Sequence, residues 1–501
     1  MISFKPLLSA FTLKLLALII LTNMAHITSA GPGTSTIAQY SINAKASNEA
    51  FVPYNAFSGF YSVLQWTEFP EEIFGQDLEL VRQEHLLGGG IIRTWLILDM
   101  MRFGDDRNAA DWERVHEYFD EMTKFPGVLM LNVHTPGKPK EDSMTVSEWG
   151  DWVEEALHHL AERYPGKIRY IESANEPFAH HADDPIEVYK LYKEINDAVN
   201  AVNSRLELTG TEQELLIGGP AIATATPVTR LRDFLQLYIA DTDPSKRLDF
   251  VTAHRYADGP NVRGFATLVD IIQGWLTQSG LAGTPVLLTE TSMWSWRHNS
   301  GLPLPEDMAI TAAGTLSLHY WTKQAGGTAF YFGSRHRQNS RKDAFLDDED
   351  LGRSADLTAY GYSRLFLGKM AEEQLPVSGY TDNQDPDGRG LYLLASRNSE
   401  GTRITLLAWN YQYDPRSQPA RYNVRINLDE LPEGLKGNKL KVRRWLIDAE
   451  HSNAHFTGSA TDLHLAEDRA IDTQDTLLSL GFPLHPNAVT LLEISTAQTK
   501  D

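Results

Sequence analysis

Two glutamates follow apolar, β-branched segments that lie far apart in the chain, and both are candidates for acid–base or nucleophilic chemistry. Glu176 stands in the segment Ser173-Ala-Asn-Glu-Pro177, and Glu290 ends the segment Val286-Leu-Leu-Thr-Glu290. Cleavage of a glycosidic bond requires such a pair, because one carboxyl group protonates the leaving oxygen while the other attacks the anomeric carbon or activates water. The pair therefore predicts glycoside hydrolysis if the fold brings both residues together.

The surroundings of the two glutamates suggest different roles. Glu290 ends a buried strand and needs a partner, for which Arg93 is the candidate. We expect Arg93 to lower the pKa of Glu290, as a nucleophile requires, and the more apolar setting of Glu176 to raise its pKa, as a general acid requires. Taken alone, Glu176 also fits a capping residue before a proline, and Glu290 fits a structural ion pair.

Other polar and aromatic side chains follow the same predicted strands. His254 and Tyr256 share one strand face, so Tyr256 is placed to hydrogen-bond the nucleophile and His254 to position sugar hydroxyls. Asn175 precedes Glu176, whereas Glu172 lies deeper on the face of Glu176 and fits a buried structural pair. The remaining candidates are His134 near a strand end, and Trp294 and Trp296 as flat faces for sugar rings.

A basic loop follows the last predicted strand of this region and includes Arg335 and Arg337. Guanidinium groups bind planar anions in a forked geometry, which suggests an acidic or sulfated sugar as substrate. The alternative is a solvated loop that balances the nearby acidic segment 347–350.

Eight strand–helix units account for residues 55–368 and predict a (β/α)8 TIM barrel of the α/β class, whose active site lies at the C-terminal ends of the strands. A doubly wound sheet is the alternative, but no phosphate-binding glycine motif accompanies it. Helix signals include a capping box at Thr145 and Glu148 and a helix start at Asp184-Pro185. The predicted strands are 57–64, 91–96, 128–134, 168–174, 215–218, 250–254, 286–290 and 328–332.

Residues 369–501 change character, with short alternating strands separated by turn clusters, and predict an accessory β-sandwich. The N-terminal segment 31–54 is a candidate for one further strand of that sandwich. Strands are predicted at 391–394, 404–409, 440–446 and 489–494.

The N-terminus carries the pattern of a secretory signal peptide over residues 1–30. Lys5 and Lys14 precede the apolar segment 15–21, and small residues follow up to Ala30. An uncleaved anchor is the alternative, although the apolar segment is shorter than the ~20 residues that a spanning helix needs. We therefore expect a periplasmic or secreted protein with no stable membrane insertion after cleavage.

Charge and composition exclude several functional classes. The 66 acidic and 45 basic residues give a net charge of −21, which disfavours nucleic acid as a partner. The chain has no cysteine, which excludes thiol nucleophiles and cysteine-ligated metal centres. We expect a carbohydrate substrate and no cofactor or metal.

The motifs around the two glutamates resemble clan A of the glycoside hydrolases and, within it, glycoside hydrolase family 39. The resemblance includes Asn-Glu-Pro, Ile217-Gly-Gly-Pro220, the segment 249–256 and Leu288-Thr-Glu290. It implies a (β/α)8 retaining enzyme with Glu176 as acid/base and Glu290 as nucleophile, supported by Arg93, Asn175, His254 and Tyr256. The xylosidases of the family usually have Arg-Phe-His-Gly in the second strand, where this chain has Arg93-Thr-Trp-Leu96. Trp95 thus replaces a sugar-contacting His of those enzymes, which argues against xyloside specificity.

Three other functions remain open from the sequence. A carbohydrate-binding barrel without catalysis needs the aromatics but not both carboxylates. A metal-dependent hydrolase would use His134, His254 and a carboxylate, although the chain has no compact histidine cluster. A polysaccharide lyase acting on a uronate polymer is the third.

Overall fold

The structure, a computed structural model, describes most of the chain in separate stretches. Those stretches are 35–46, 49–50, 56–58, 90–96, 112–124, 127–133, 145–257, 261–293, 305–332, 357–380, 385–413, 420–453, 463–472 and 477–497. Among these residues, no helix combines the length and the apolar character that crossing a bilayer demands.

The strands fall into a first set that ends near residue 332 and a second set that follows residue 372. The first set is β1 (Ser35–Asn43), β2 (Glu49–Ala50), β3 (Ala56–Ser58), β4 (Ile91–Leu96), β5 (Val128–Val133), β6 (Ile168–Ser173), β7 (Leu216–Ile222), β8 (Phe250–Tyr256), β9 (Val286–Ser292) and β10 (Gly327–Phe332). The second set is β11 (Glu373–Leu375), β12 (Val377–Gly379), β13 (Gly390–Arg397), β14 (Arg403–Tyr411), β15 (Arg421–Asp429), β16 (Lys439–Ile447), β17 (Leu465–Asp472), β18 (Leu478–Leu484) and β19 (Val489–Thr496).

The described helices all lie between β4 and β11. They are α1 (Trp112–Met122), α2 (Val146–Arg163), α3 (Pro177–His180), α4 (Pro185–Arg205), α5 (Thr229–Ala240), α6 (Arg263–Gln278), α7 (Pro305–Gln324) and α8 (Ala359–Gly368). The predicted start signals of α2 and α4 are confirmed. Thr145 and Glu148 form a reciprocal capping box at α2, and the Asp184 side chain accepts from the Ile186 N–H, with Pro185 in the first turn of α4.

Strands β3 to β10 close into a parallel eight-stranded barrel, so the predicted TIM barrel is confirmed. Its interior contains a separate apolar cluster of Met130, Phe250, Leu287 and Phe330, one from each of four strands. The opposite faces of the strands pack against the amphipathic helices in one large core. The interior is therefore filled by side chains, and the polar residues at the strand ends are confined to the mouth of the barrel.

Two further sheets form the predicted sandwich. One has the strand order β12-β1-β15-β18, and the other has the order β17-β16-β19-β14-β13-β11-β2. Strand β1 pairs in parallel with β15, which ties the N-terminal segment to the sandwich. The domain boundaries after residues 54 and 368 stay a prediction.

The sandwich contacts the barrel through aromatic side chains on the outer face of its larger sheet. Trp409 donates from Nε1 to Ser317 Oγ on α7 at 2.8 Å, and its ring stacks on Tyr392. The Tyr392 hydroxyl in turn accepts from Trp321 Nε1 on α7 at 2.8 Å. Because the Trp409 and Tyr392 rings are buried and hydrogen-bonded across the junction, the sandwich is a packed support for the barrel.

The Gly218-Gly219 pair allows β7 to approach its neighbouring strands closely. A Cβ added at Gly218 would lie 2.3 Å from the Phe250 carbonyl oxygen on β8. One added at Gly219, whose φ is +154°, would lie 2.2 Å from Ser173 Oγ on β6. Both positions therefore require glycine for steric reasons.

We predict that Gly219→Ala lowers the free energy of unfolding by about 3 kcal/mol, because it adds both a steric overlap and backbone strain. Chemical denaturation followed by circular dichroism measures the change. Gly274→Ala in α6 is the matched control, since a Cβ there meets nothing within 4 Å. Alanine in a helix should leave that variant as stable as the wild type or slightly more so. Equal stability of the two variants would contradict the steric explanation.

Candidate active site

Arg93 on β4 connects the polar residues at the barrel mouth. Its side chain is fully buried and donates from Nε to Glu172 Oε2 at 2.6 Å, from Nη1 to Glu290 Oε1 at 2.9 Å and from Nη2 to Asn175 Oδ1 at 2.9 Å. Burial acts to lower the pKa of Arg93, but Glu172 and Glu290 outweigh it and the pKa is raised. The guanidinium therefore stays charged and holds the side chains of Glu172, Glu290 and Asn175 through three hydrogen bonds.

Glu172 on β6 lies beneath the site with no exposed surface. Besides Arg93, it accepts hydrogen bonds from Asn132 Nδ2 at 2.7 Å and from Thr289 Oγ1 at 2.6 Å. Burial alone would raise the pKa of Glu172, but the positive charges of Arg93 and His254 and the hydrogen bonds from Thr289 and Arg93 lower it overall. Glu172 is therefore ionised, out of reach of solvent and paired with Arg93, which agrees with the buried structural pair that the sequence predicts at this position.

Glu290 on β9 presents its carboxylate in a fixed orientation. Oε1 accepts from Arg93 Nη1, and Oε2 accepts from the Tyr256 hydroxyl at 2.6 Å. Burial and the charge of Glu290 raise the pKa of Tyr256 well above 10, so the hydroxyl remains a donor at neutral pH. Only 7% of the Glu290 side chain is exposed, so the carboxylate is nearly closed to solvent.

The position of Glu176 depends on backbone conformation rather than on strand alternation. The sequence predicts that β6 continues to Glu176, so that Glu176 lies on the same strand face as Glu172. This prediction is wrong, because β6 ends at Ser173. Ala174 (φ +62°) and Glu176 (φ +48°) both adopt left-handed conformations, and Pro177 then begins α3. Such residues cost roughly 1–2 kcal/mol each and occur where a side chain must be aimed. The side chains of Asn175 and Glu176 therefore both reach the site, with Asn175 bound to Arg93 and Glu176 to His254. In a regular strand, two consecutive side chains would point to opposite faces.

Glu176 contacts a different histidine through each carboxylate oxygen. Oε1 lies 2.8 Å from His254 Nδ1, and Oε2 lies 3.4 Å from His180 Nε2. His254 is buried, and its Nε2 has no hydrogen-bond partner among the described residues. A proton on Nδ1 therefore fits this geometry, with His254 donating to Glu176.

The expectation of a raised pKa for Glu176 is wrong. Burial does act in that direction, but the hydrogen bond and charge of His254, together with His180 and Arg93, outweigh it and lower the pKa. The local sequence around Glu176 does not indicate that two histidines approach its carboxylate, His254 from β8 and His180 from α3. In the free protein the site therefore favours the ionised form of Glu176.

Glu176 and Glu290 face each other across a short gap, with a carboxylate oxygen of each within 4.8 Å of the other and of a His254 nitrogen. Carboxyl groups roughly 5 Å apart are typical of retaining glycosidases, whereas inverting enzymes keep about 6.5–9.5 Å for a water molecule. The same three residues could ligate a metal ion, but the nearby Arg93 charge opposes a dication. In addition, Glu290 already accepts from two donors, Arg93 and Tyr256.

Several predicted site residues lie outside the described residues: His134, Trp294, Trp296, Arg335 and Arg337. Two aromatic side chains at the end of β10 differ in exposure. Tyr331 is fully buried and packs on Tyr360 with ring centres 4.1 Å apart, so it cannot serve as a sugar platform. Phe332 is partly exposed and meets Tyr256 edge-on.

Three residues of the site were missed in the sequence. Asn132 interrupts an apolar strand and Thr289 precedes Glu290, so a search for polar residues within buried strands would have found both. His180 gave no such signal, because α3 is a single turn and shows no periodicity.

Comparison of the sequence with known proteins finds a partial match to a glycosidase. No protein-family model matches the chain. A β-xylosidase from Caldicellulosiruptor saccharolyticus is 33% identical over 115 residues, which are 22% of this chain and 20% of that protein. The chain thus spans about a fifth of the length of this curated relative.

Solved glycosidase structures match over nearly the whole chain. A glucosidase from Croceicoccus marinus has a TM-score of 0.71 at 16% identity and covers 93% of this chain and 100% of its own. A monomeric β-xylosidase from Caulobacter crescentus CB15 has 0.68 at 16%, with 92% and 99% covered. A family 39 enzyme from Xanthomonas axonopodis pv. citri has 0.67 at 15%, with 93% and 99% covered. The chain therefore shares the fold of these solved glycosidases, and its resemblance to family 39 of clan A extends from the motifs to this fold.

Proposed function

We propose that the protein is an exported retaining glycoside hydrolase that cleaves O-glycosidic bonds by double displacement. Glu290 is the nucleophile and Glu176 the general acid/base. The observation that carries this proposal is the short separation of the two carboxylates at the mouth of the barrel, within 4.8 Å between oxygens. The similarity to glycosidases of the same fold supports it.

In the first step, a Glu290 carboxylate oxygen attacks the anomeric carbon while Glu176 gives its proton to the departing glycosidic oxygen. This forms a glycosyl ester on Glu290 and releases the leaving group as an alcohol. Arg93 and Tyr256 orient Glu290 for the attack through their 2.9 Å and 2.6 Å hydrogen bonds. In the second step, Glu176 takes a proton from water, which attacks the same carbon and frees Glu290.

The opposite contacts of the two glutamates support this division of roles. Glu290 accepts from Arg93 and Tyr256 and is nearly closed to solvent, as suits a residue that must meet one carbon atom. Glu176 is more open, with 21% of its side chain exposed, so a leaving group and later a water molecule can reach it. Asn175, which accepts from Arg93, is the residue that we assign to a hydrogen bond with a sugar hydroxyl in this proposal.

Hydrolysis of a broad panel of aryl glycosides and oligosaccharides tests the proposed function. Proton NMR of the first product formed should show the same anomer as the substrate. An inverted product would contradict the nucleophilic role of Glu290. Cleavage that yields an unsaturated uronate would indicate a lyase, and binding without any cleavage would indicate a carbohydrate-binding protein.

Export rests on the signal-peptide pattern of residues 1–30. Expression in a bacterial host with the full chain, followed by mass spectrometry of the periplasm and the medium, tests it. A mature chain that begins at Gly31 supports export, and full-length protein in the cytoplasm contradicts it.

An acidic or sulfated substrate is proposed from the basic loop that includes Arg335 and Arg337. We predict that replacing both with glutamine raises KM for anionic glycosides about tenfold or more, with little effect on neutral ones, because each lost charged hydrogen bond costs roughly 1 kcal/mol or more. Arg232→Gln on α5 is the control for lost positive charge, since its side chain is half exposed beside Asp233. Equal KM values on anionic and neutral substrates would contradict the proposal.

A further inference from the structure

His180 is an unassigned neighbour of Glu176, which we propose as the acid/base. It is the last residue of α3, the single turn that begins directly after Glu176. The His180 N–H donates to the Glu176 carbonyl at 3.0 Å, so the two residues are one helical turn apart on the same side. Its Nε2 consequently reaches Glu176 Oε2 at 3.4 Å.

The two histidines that contact Glu176 differ in exposure. His254 reaches Oε1 from the buried side, with none of its side chain accessible. His180 reaches Oε2 from the solvent side, and 54% of its side chain is exposed. Because Oε1 is fixed by the shorter, buried contact, Oε2 is the oxygen that must exchange its proton with a leaving group or with water.

We propose that His180 is a positioning residue for this exchange, which holds Glu176 Oε2 toward solvent and favours the ionised carboxylate when the imidazole is charged. This inference rests on the proposed function and deepens it. His180 would then lower the highest pH at which the Glu176 carboxyl stays protonated and can act as an acid. It would also support the ionised Glu176 as the base of the second step.

The other groups that face Glu176 do not duplicate this role. His254 and Tyr256 approach from β8 and Arg93 from β4, and all three also contact Glu290, which approaches from β9. The positive charges among them lower the pKa of Glu176 against the effect of burial, and His180 contributes to that shift. Among the described residues, His180 is the exposed member of the set, so it can be replaced without opening the buried network.

The first test needs no substrate. The side-chain carboxyl carbon of Glu176 is titrated by ¹³C NMR in protein labelled at glutamate, with Glu176→Gln to assign the signal. We expect His180→Gln to move the Glu176 midpoint to higher pH, because a positive charge near Oε2 is lost. His181→Gln is the matched control: it is the adjacent histidine, and no contact joins it to Glu176 among the described residues. An unchanged midpoint in His180→Gln, or the same shift in both variants, would overturn the inference.

The second test uses the aryl glycoside that the wild type cleaves best, compared across pH. In His180→Gln the alkaline fall of kcat/KM should move to higher pH, which leaves roughly two- to threefold more activity on that limb, the effect of a half-exposed ion pair. His180→Lys keeps a positive charge and should restore the wild-type profile. If Glu176→Gln abolishes acid catalysis while His180→Gln has the wild-type profile, this inference fails and the proposed function stands. If Glu176→Gln retains the wild-type activity and pH profile, the proposed function fails instead.

Discussion

Glu290→Gln is expected to lower kcat/KM by roughly 10⁴-fold or more on every substrate that the wild type cleaves, a loss of about 5.5 kcal/mol of transition-state stabilisation. The amide has nearly the shape of the carboxylate, and its oxygen can still accept from Arg93 or Tyr256, but it cannot form the glycosyl ester. Steady-state kinetics measure the loss. Thermal melting provides the control, because a variant that is folded but inactive separates chemistry from stability.

Chemical rescue identifies the role of Glu290 more sharply than the loss of activity does. In Glu290→Gly, azide can enter the vacated space and attack the anomeric carbon directly, which should give a glycosyl azide of inverted configuration. A product of retained configuration from this variant would contradict the assignment of Glu290 as the nucleophile.

Glu176→Gln is expected to show a loss that depends on the leaving group. For sugar leaving groups the rate should fall about 10²–10⁴-fold, because general acid catalysis contributes that much. For a dinitrophenyl glycoside, whose leaving group needs no proton, formation of the glycosyl-enzyme should continue and the intermediate should accumulate for want of a base. A burst of dinitrophenolate followed by slow turnover is the measurement. Equal losses for both classes of leaving group would contradict the acid/base role.

The pH dependence of the wild type follows from the lowered pKa of Glu176. The protonated carboxyl is the form that donates to the leaving oxygen, so kcat/KM should fall as pH rises through the pKa of Glu176. Because that pKa is lowered, the fall should come at a more acidic pH than an ordinary glutamate would give. With a sugar leaving group, which needs this proton, the residual activity of Glu176→Gln should lack the fall, since the variant has no carboxyl group to titrate at that position.

The sequence alone predicts the barrel, the sandwich and the two glutamates because each depends on local patterns. Apolar segments such as Val286–Glu290 mark buried strands, and in a parallel barrel their C-terminal ends meet at one mouth. The pairing of Arg93 with Glu290 is predicted from a similar rule, because a buried carboxylate needs a cation. The structure has this contact, with Arg93 Nη1 2.9 Å from Glu290 Oε1. Such predictions hold where one physical rule dominates.

Other features depend on tertiary contacts that no local pattern contains. The left-handed conformations of Ala174 and Glu176 are costly for these residue types and are maintained by the surrounding barrel. The pKa of Glu176 was predicted with the wrong sign because His180 and His254 come from different elements. In the same way, β7 continues through Gly219 to Ile222, beyond the predicted end at 218, because the glycines allow close contact with β6 and β8.

The most direct test of the catalytic assignment is to trap the glycosyl-enzyme and locate it. Glu176→Gln is incubated with the dinitrophenyl 2-deoxy-2-fluoro derivative of the glycoside that the wild type cleaves best, and the intact protein and its peptides are measured by mass spectrometry. We predict one added fluoroglycosyl group, attached to the peptide at Glu290 and absent in Glu290→Gln. Attachment to another carboxylate, or no attachment although the wild type turns over the parent glycoside, would contradict the proposed mechanism.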